Sequence, residues 1–314
     1  DSIIEVARQT VARAGFADRS EFFGINSYQL RLPDRVDVVL CDHVGYFGID
    51  YGILALLADA SQRFLKPGGT LIPAAVDLKL APVETADGRD LVARWSNGSV
   101  PAEYAWIREP AANSKNAVYL GPKDLLAVPE TLTTLELGAP AKDYLDWQAG
   151  FEFARDGKLD GLLGWFDCRL FDDVRMTNSP TDDQKLDRPQ AFYPLEEPLL
   201  VREGEPVRAS VMVRPGDHLL AWTVDLPEQD RQFTLTTFNG LLLDDDALSR
   251  SRGDRIAELN DHGEALKIVL SYCDGTRTAA DVEALVRTNH PDLFPSAVAT
   301  EKLVREVLMC NTRS

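Results

Sequence analysis

The chain has 314 residues, 45% apolar and 26% charged, the proportions of a globular protein long enough for two or three cores. Its 50 acidic and 33 basic residues give a net charge of -17 at pH 7, which disfavours nucleic acid or anionic membrane as a partner and fits neutral or cationic ligands. The 4 cysteines (Cys41, Cys168, Cys273, Cys310) form no CxxC pair and have no histidines at ligand spacing, so no metal site is expected and a reducing, cytoplasmic setting is.

Residues 2–14 (SIIEVARQTVARA) place Ile3, Val6, Ala7 and Val11 on one helical face, with Gly15 as the stop. Glu21 to Ile25 fits a short strand, and 26–34 a loop. Val36 to Leu40 is an apolar, β-branched run, short enough for a buried strand, that ends in Cys41-Asp42. A carboxylate at the carboxyl end of a strand lies where open α/β sheets bind ligands. A helix follows from about Gly52 to Phe64 and stops at the breaker Lys66-Pro67-Gly68-Gly69. The order α-β-loop-β-α-β is the second half of a doubly wound sheet.

From Val76 the pattern changes to period two. Runs at 77–82, 131–137, 164–170, 199–201, 207–213 and 220–226 are separated by turn residues, as in an antiparallel β-barrel or sandwich. Residues 95–118, with aromatics among polar residues, fit a long loop or an arm-like insertion. Asp244-Asp245-Asp246 reads as a solvated turn. From about Leu248 the chain is helical, with helices over 261–272, 281–288 and 300–309, and a capping-box-like start at Thr278 to Asp281. The fold class is therefore α/β plus all-β: half of a Rossmann-like sheet (1–75), a β-barrel or sandwich (76–247) and a helical module (248–314). No apolar run reaches the ~18 residues of a membrane span.

Five ordered blocks, LPDRVDVVLCDHVGYF at 32–47, RFLKPGGTLIPAAVDLKLAPVE at 63–84, GWFDCRL at 164–170, TNSP at 177–180 and FYPLEEPLLVREGE at 192–205, resemble the protein arginine methyltransferase family over roughly residues 1–230. The tail segment DGTRTAADVEAL at 274–285 weakly resembles winged-helix modules of the PqqD type. The family resemblance implies an S-adenosylmethionine-binding Rossmann-like domain followed by a barrel, an active site between them, and homodimerisation through an arm at about 95–118. It places Asp42 at the first position of the family's pair of acceptor-holding glutamates, and Tyr51, with Asp50 beside it, at the second. These three are the candidate catalytic residues.

The same resemblance makes Ser27, Tyr28, Cys41 and Ile53 candidate cofactor-binding residues, with Ser27-Tyr28 standing where the family has its adenine-facing Val-Glu pair. Tyr46, Asp187, Arg188 and Gln190 become candidate acceptor-binding residues, Leu186-Asp187-Arg188 replacing the family's Thr-His-Trp loop. Arg188 would repel an arginine acceptor, with Asp187 as its expected partner. His43 and His218 read as structural. The family's glycine-rich cofactor motif lies before the position matching Asp1, and the chain opens without Met inside a helical pattern, so an upstream segment carrying that motif is expected. Two functions follow: methyl transfer from S-adenosylmethionine to a non-standard small-molecule or peptide acceptor, or a catalytically inactive methyltransferase-like binding or scaffold protein.

Overall fold

The computed structural model describes residues 2–293 and 296–312. The chain forms two compact units, Asp1–Leu242 and Leu243–Ser314.

The first unit opens with α1 (Ser2–Arg13), which Gly15 ends in the left-handed region at φ +79°. The apolar face expected of α1 is open to solvent at Ile3 and Val6. Residues 21–25 form no strand: no segment among the described residues pairs with their backbone, and a 3-10 turn, Ser27–Gln29, follows. Next come β1 (Val36–Leu40), α2 (Ile53–Arg63) and β2 (Leu65–Ile72), with β1 and β2 parallel in a two-stranded sheet. This is a β-α-β unit with strand carboxyl ends on one edge. With only β2 beside it among the described residues, β1 is not the buried strand its composition suggests, and Val38 and Leu40 are exposed. The Lys66-Pro67-Gly68-Gly69 breaker lies inside β2, where a register shift opposite Val36 to Val38 absorbs it.

The barrel begins at β3 (Ala75–Val83). It continues through α3 (Ala86–Ala93), α4 (Arg108–Ala112), β4 (Asn116–Val118), β5 (Glu130–Glu136), β6 (Leu145–Glu152), β7 (Gly157–Phe171) and β8 (Val174–Thr177). It ends with β9 (Gln190–Val201), β10 (Pro206–Arg214), β11 (Leu219–Leu226) and β12 (Arg231–Thr236). One antiparallel sheet runs β4-β9-β7-β3-β5 with β8 added to β7, and the other runs β12-β11-β10-β6. Inward residues from both sheets, among them Phe166, Tyr193, Trp222 and Leu235, share one core.

Val44, Phe47, Ile49, Ile53 and Leu57 join that same core, so the loop after β1 and the start of α2 plug one end of the barrel. The fit depends on Gly164 of β7, where a Cβ would lie 2.6 Å from the Phe47 ring. Residues 157–171 form one long strand, buried on both faces over 159–166, because Leu163 and Trp165 pack outward beneath the region of α3 and β4. The segment proposed as an arm divides in two. Residues 108–118 lie on the barrel, where Arg108 donates to the Glu196 carbonyl (2.6 Å) and β4 edges the sheet, while Tyr104 and Trp106 are exposed.

The second unit comprises α5 (Asp245–Ser251), α6 (Asp261–Ser271), α7 (Ala279–Asn289) and α8 (Ala297–Asn311). Asp245 and Asp246 begin α5 instead of forming a turn, where acidic side chains complement the helix dipole. Thr278 and Asp281 form the reciprocal capping box of α7. Val269, Val282, Val286, Val304 and Val307 make a separate core. No strand occurs among the described residues of this unit, so a winged-helix wing is absent from them.

Candidate functional site

Residues 41–52 connect β1 to α2 and carry most of the candidates. The loop is folded around Asp50. This carboxylate is buried, and its Oδ2 accepts the backbone N–H groups of Tyr46 and Phe47, both at 2.7 Å. Its Oδ1 pairs with Lys115, which comes from just before β4. Gly45 makes the turn possible: its φ is +70°, and a Cβ there would lie 2.3 Å from the Asp50 Cβ. Asp50 therefore holds the loop, and its lone pairs are committed to two amides and a lysine. That placement removes it from the free acid-base groups expected from the sequence.

Tyr51 is the loop's strained residue, at φ 55°, a left-handed conformation that costs a non-glycine residue about 1 kcal/mol or more. The strain turns its ring to solvent, edge-on to Tyr46 at 6.3 Å between centroids. Its hydroxyl is held above the ordinary phenol value, first by the Tyr46 side chain, then by partial desolvation and the Asp50 carboxylate, while Arg188 pulls the other way. Tyr51 is thus a proton-bearing phenol at neutral pH and a poor substitute for a carboxylate base.

Asp42 remains the open carboxylate, 69% exposed at the end of β1. Its partner is Arg188, whose Nη2 reaches Oδ1 at 3.1 Å and Oδ2 at 3.3 Å. The sequence suggested Asp187 as the partner of Arg188; Asp187 is instead exposed. The two loops are joined through Asn178, which is buried. Its Nδ2 donates to the Tyr46 carbonyl (2.9 Å) and the Pro189 carbonyl (2.8 Å), and its Oδ1 accepts from Phe166 N (3.0 Å). Gln190 is also buried, donating to the Asn178 carbonyl (2.7 Å) and accepting from Leu120 N (3.0 Å). It supports the site from beneath and has no surface for an acceptor.

Beside Tyr51 opens a cleft of about 520 Å³, walled by Ile49, Lys115, Val213, His218 and Leu220 among others. Lys115 and Asn178 are site residues that the sequence pattern alone does not mark. Asn178 lies in the TNSP block, whose pattern points to the barrel, and Lys115 carries no local signal. His218, read as structural, lies on the cleft wall.

The cofactor candidates are dispersed. Ile53 is fully buried in the core, so its side chain has no contact to offer a ligand. Ser27 gives its carbonyl to Arg63 Nη2 (2.8 Å), and the Leu30 carbonyl accepts from Arg63 Nη1 (2.8 Å). Arg63 closes α2 and Ile53 opens it, so these backbones are roughly 15 Å apart along the helix. The Ser27–Tyr28 turn is thus tied to the end of α2 away from the acidic loop. Tyr28 keeps an exposed ring and Cys41 is half-buried, its thiol pushed up by burial. Among the cofactor candidates, Ser27 and Cys41 are partly exposed and Tyr28 is exposed, so these three keep accessible surface. Among the described residues no group of three His, Cys, Asp or Glu side chains converges on a metal position.

No protein-family model matches the chain. Protein arginine N-methyltransferase 6 of Xenopus tropicalis is 23% identical over 228 residues, which cover 69% of this chain and 67% of the relative. The chain spans about two thirds of the length of the curated relatives it matches first. The Trypanosoma brucei PRMT1 enzyme-prozyme heterotetrameric complex with AdoHcy contains a similar fold, with a TM-score of 0.64, 14% identity, and coverage of 75% of this chain and 80% of that one. Arabidopsis thaliana protein arginine methyltransferase 10, in an open conformation, matches with a TM-score of 0.61, 18% identity, and coverage of 74% and 80%. In sequence and in fold the chain is similar to protein arginine methyltransferases.

Proposed function

We propose that this chain acts in S-adenosylmethionine-dependent methyl transfer to an acceptor other than ordinary protein arginine. The observation that supports it is the asymmetry of its two acidic-loop positions. Asp42 stands open at the carboxyl end of β1, whereas Asp50 is buried beneath its own loop and Tyr51 takes the second place at the surface. A guanidinium clamp needs a carboxylate on each side of the cation. One carboxylate beside two phenols suits a smaller or uncharged N–H or O–H acceptor.

Bound S-adenosylmethionine would supply an electrophilic methyl group, and Ser27, Tyr28 and Cys41 are the candidate residues with surface left to hold it. Asp42 accepts a hydrogen bond from the acceptor, orients its lone pair and takes its proton as the bond to the methyl carbon forms and the carbon–sulfur bond of the sulfonium breaks, its electron pair leaving on the neutral thioether. Tyr46 and Tyr51 flank the acceptor and exclude water from one side. The exposed Tyr104 and Trp106 fit self-association through the 95–118 segment, and the free cysteines fit a reducing cytoplasm.

Calorimetric titration of the protein with S-adenosylmethionine tests the reading, which requires saturable binding. A second reading, a catalytically inactive binding or scaffold protein, is favoured by one observation: both acidic-loop carboxylates already carry internal cations, Arg188 and Lys115. Absence of cofactor binding would select it.

A further inference from the structure

We propose that Arg188 is the specificity-determining residue of the acceptor site, an internal guanidinium that occupies Asp42 and thereby excludes cationic acceptors in favour of uncharged ones. The inference rests on the assignment of Asp42 as the acceptor-facing carboxylate.

The ion pair joins residues 146 apart in sequence, and both carboxylate oxygens face the same guanidinium nitrogen. An incoming guanidinium therefore finds the carboxylate engaged and meets a like charge at contact distance. The Arg188 side chain is 25% exposed, against 69% for Asp42, so its aliphatic stem is packed while the carboxylate faces solvent.

The backbone holds Arg188 in place on both sides. Leu186 N donates to the Thr177 carbonyl (2.8 Å), Arg188 N to the Leu186 carbonyl (2.8 Å), and Asn178 fixes the following Pro189 carbonyl together with that of Tyr46. The loop that carries the cation and the loop that carries its target are thus fastened to one buried side chain. The charges around the site also cancel: Asp42 against Arg188, and Asp50 against Lys115. Asp187 is exposed, and water screens it. An entering cation finds both acidic-loop carboxylates already paired, whereas an uncharged acceptor needs only to lie beside Tyr46 and Tyr51 and hydrogen-bond to Asp42.

The test is titration of wild type, Arg188→Gln and the Arg188→Gln/Asp42→Asn double variant with Nα-acetylarginine amide, alongside its uncharged citrulline counterpart. The pair is at the surface, and unfolding midpoints verify that each variant is folded. Arg188→Gln should bind the arginine probe roughly tenfold more tightly than wild type. The double variant should lose that gain, and the citrulline probe should change less than about twofold between wild type and Arg188→Gln. Equal arginine-probe affinity in wild type and Arg188→Gln overturns the proposal, as does retention of the gain without Asp42. Neither probe requires S-adenosylmethionine, so failure here is distinguishable from failure of cofactor binding.

Discussion

Asn178 of the barrel donates its side-chain amide to the backbone carbonyl of Tyr46 at 2.9 Å, joining the β-sandwich core to the acidic loop after β1. The same side chain satisfies Phe166 N and the Pro189 carbonyl, in a site closed to water. Asn178→Ala leaves one buried backbone amide and two part-buried carbonyls without their partner. A loss of about 2–4 kcal/mol is expected, read as a lower urea midpoint with an unchanged slope. The exchange protection of residues 43–48 and 186–190 should fall together, because one amide serves both loops. An unchanged midpoint would contradict the role given to Asn178.

Asp50 and Lys115 are assigned to structure, and stability is where their removal should register. Asp50→Asn removes charge from an acceptor of two amides, and Lys115→Met leaves the carboxylate without its cation. Each should cost about 1–3 kcal/mol, with the double variant costing less than the sum. Thermal unfolding checks this. A catalytic acid at position 50 would instead give an Asp50→Asn protein of unchanged stability and lost activity.

Tyr193 gives the fold an alkaline limit. Its hydroxyl is buried with no hydrogen-bond partner among the described residues, and burial, with the Asp50 charge adding, holds it well above the ordinary phenol value of 10.0. The folded state therefore binds this proton more tightly than the unfolded state does. Its contribution is complete below about pH 10 and is lost as pH rises through the folded value. Phenolate absorbance at 295 nm should show one tyrosine ionising only with cooperative unfolding. Tyr193→Phe removes both the orphan hydroxyl and this step, and should leave neutral-pH stability unchanged or raised by up to about 1 kcal/mol.

Much of this arrangement was legible in local sequence. The runs at 36–40, 77–82, 207–213 and 220–226 correspond to β1, β3, β10 and β11, and Thr278 with Asp281 caps α7. Other strands carry a weaker local signal: β6 contains Ala149-Gly150, β12 has only Phe233 and Leu235 as apolar residues, and β4 is a three-residue edge. Residues 21–25 have strand-forming side chains but no strand to pair with, and tertiary context decides β-structure.

At the site, Asp42 could be recognised because its signal is a carboxylate ending an apolar run. The fate of Asp50 could not, since its cation lies 65 residues away and its other partners are backbone amides. Gln190 and Ile53 matched functional positions, yet both are buried, which no local pattern reveals.

The central claim is that Asp42 handles the acceptor's proton while Asp50 does not. The most direct measurement is transfer of a tritiated methyl group from S-adenosylmethionine into a fractionated cell extract, comparing wild type, Asp42→Asn and Lys115→Met at a temperature where all three are folded. The account predicts transfer by wild type into products other than methylarginine, a loss of roughly 10²-fold or more in Asp42→Asn, and a rate within a few-fold of wild type in Lys115→Met. Full activity in Asp42→Asn, or methylarginine as the product, would contradict it.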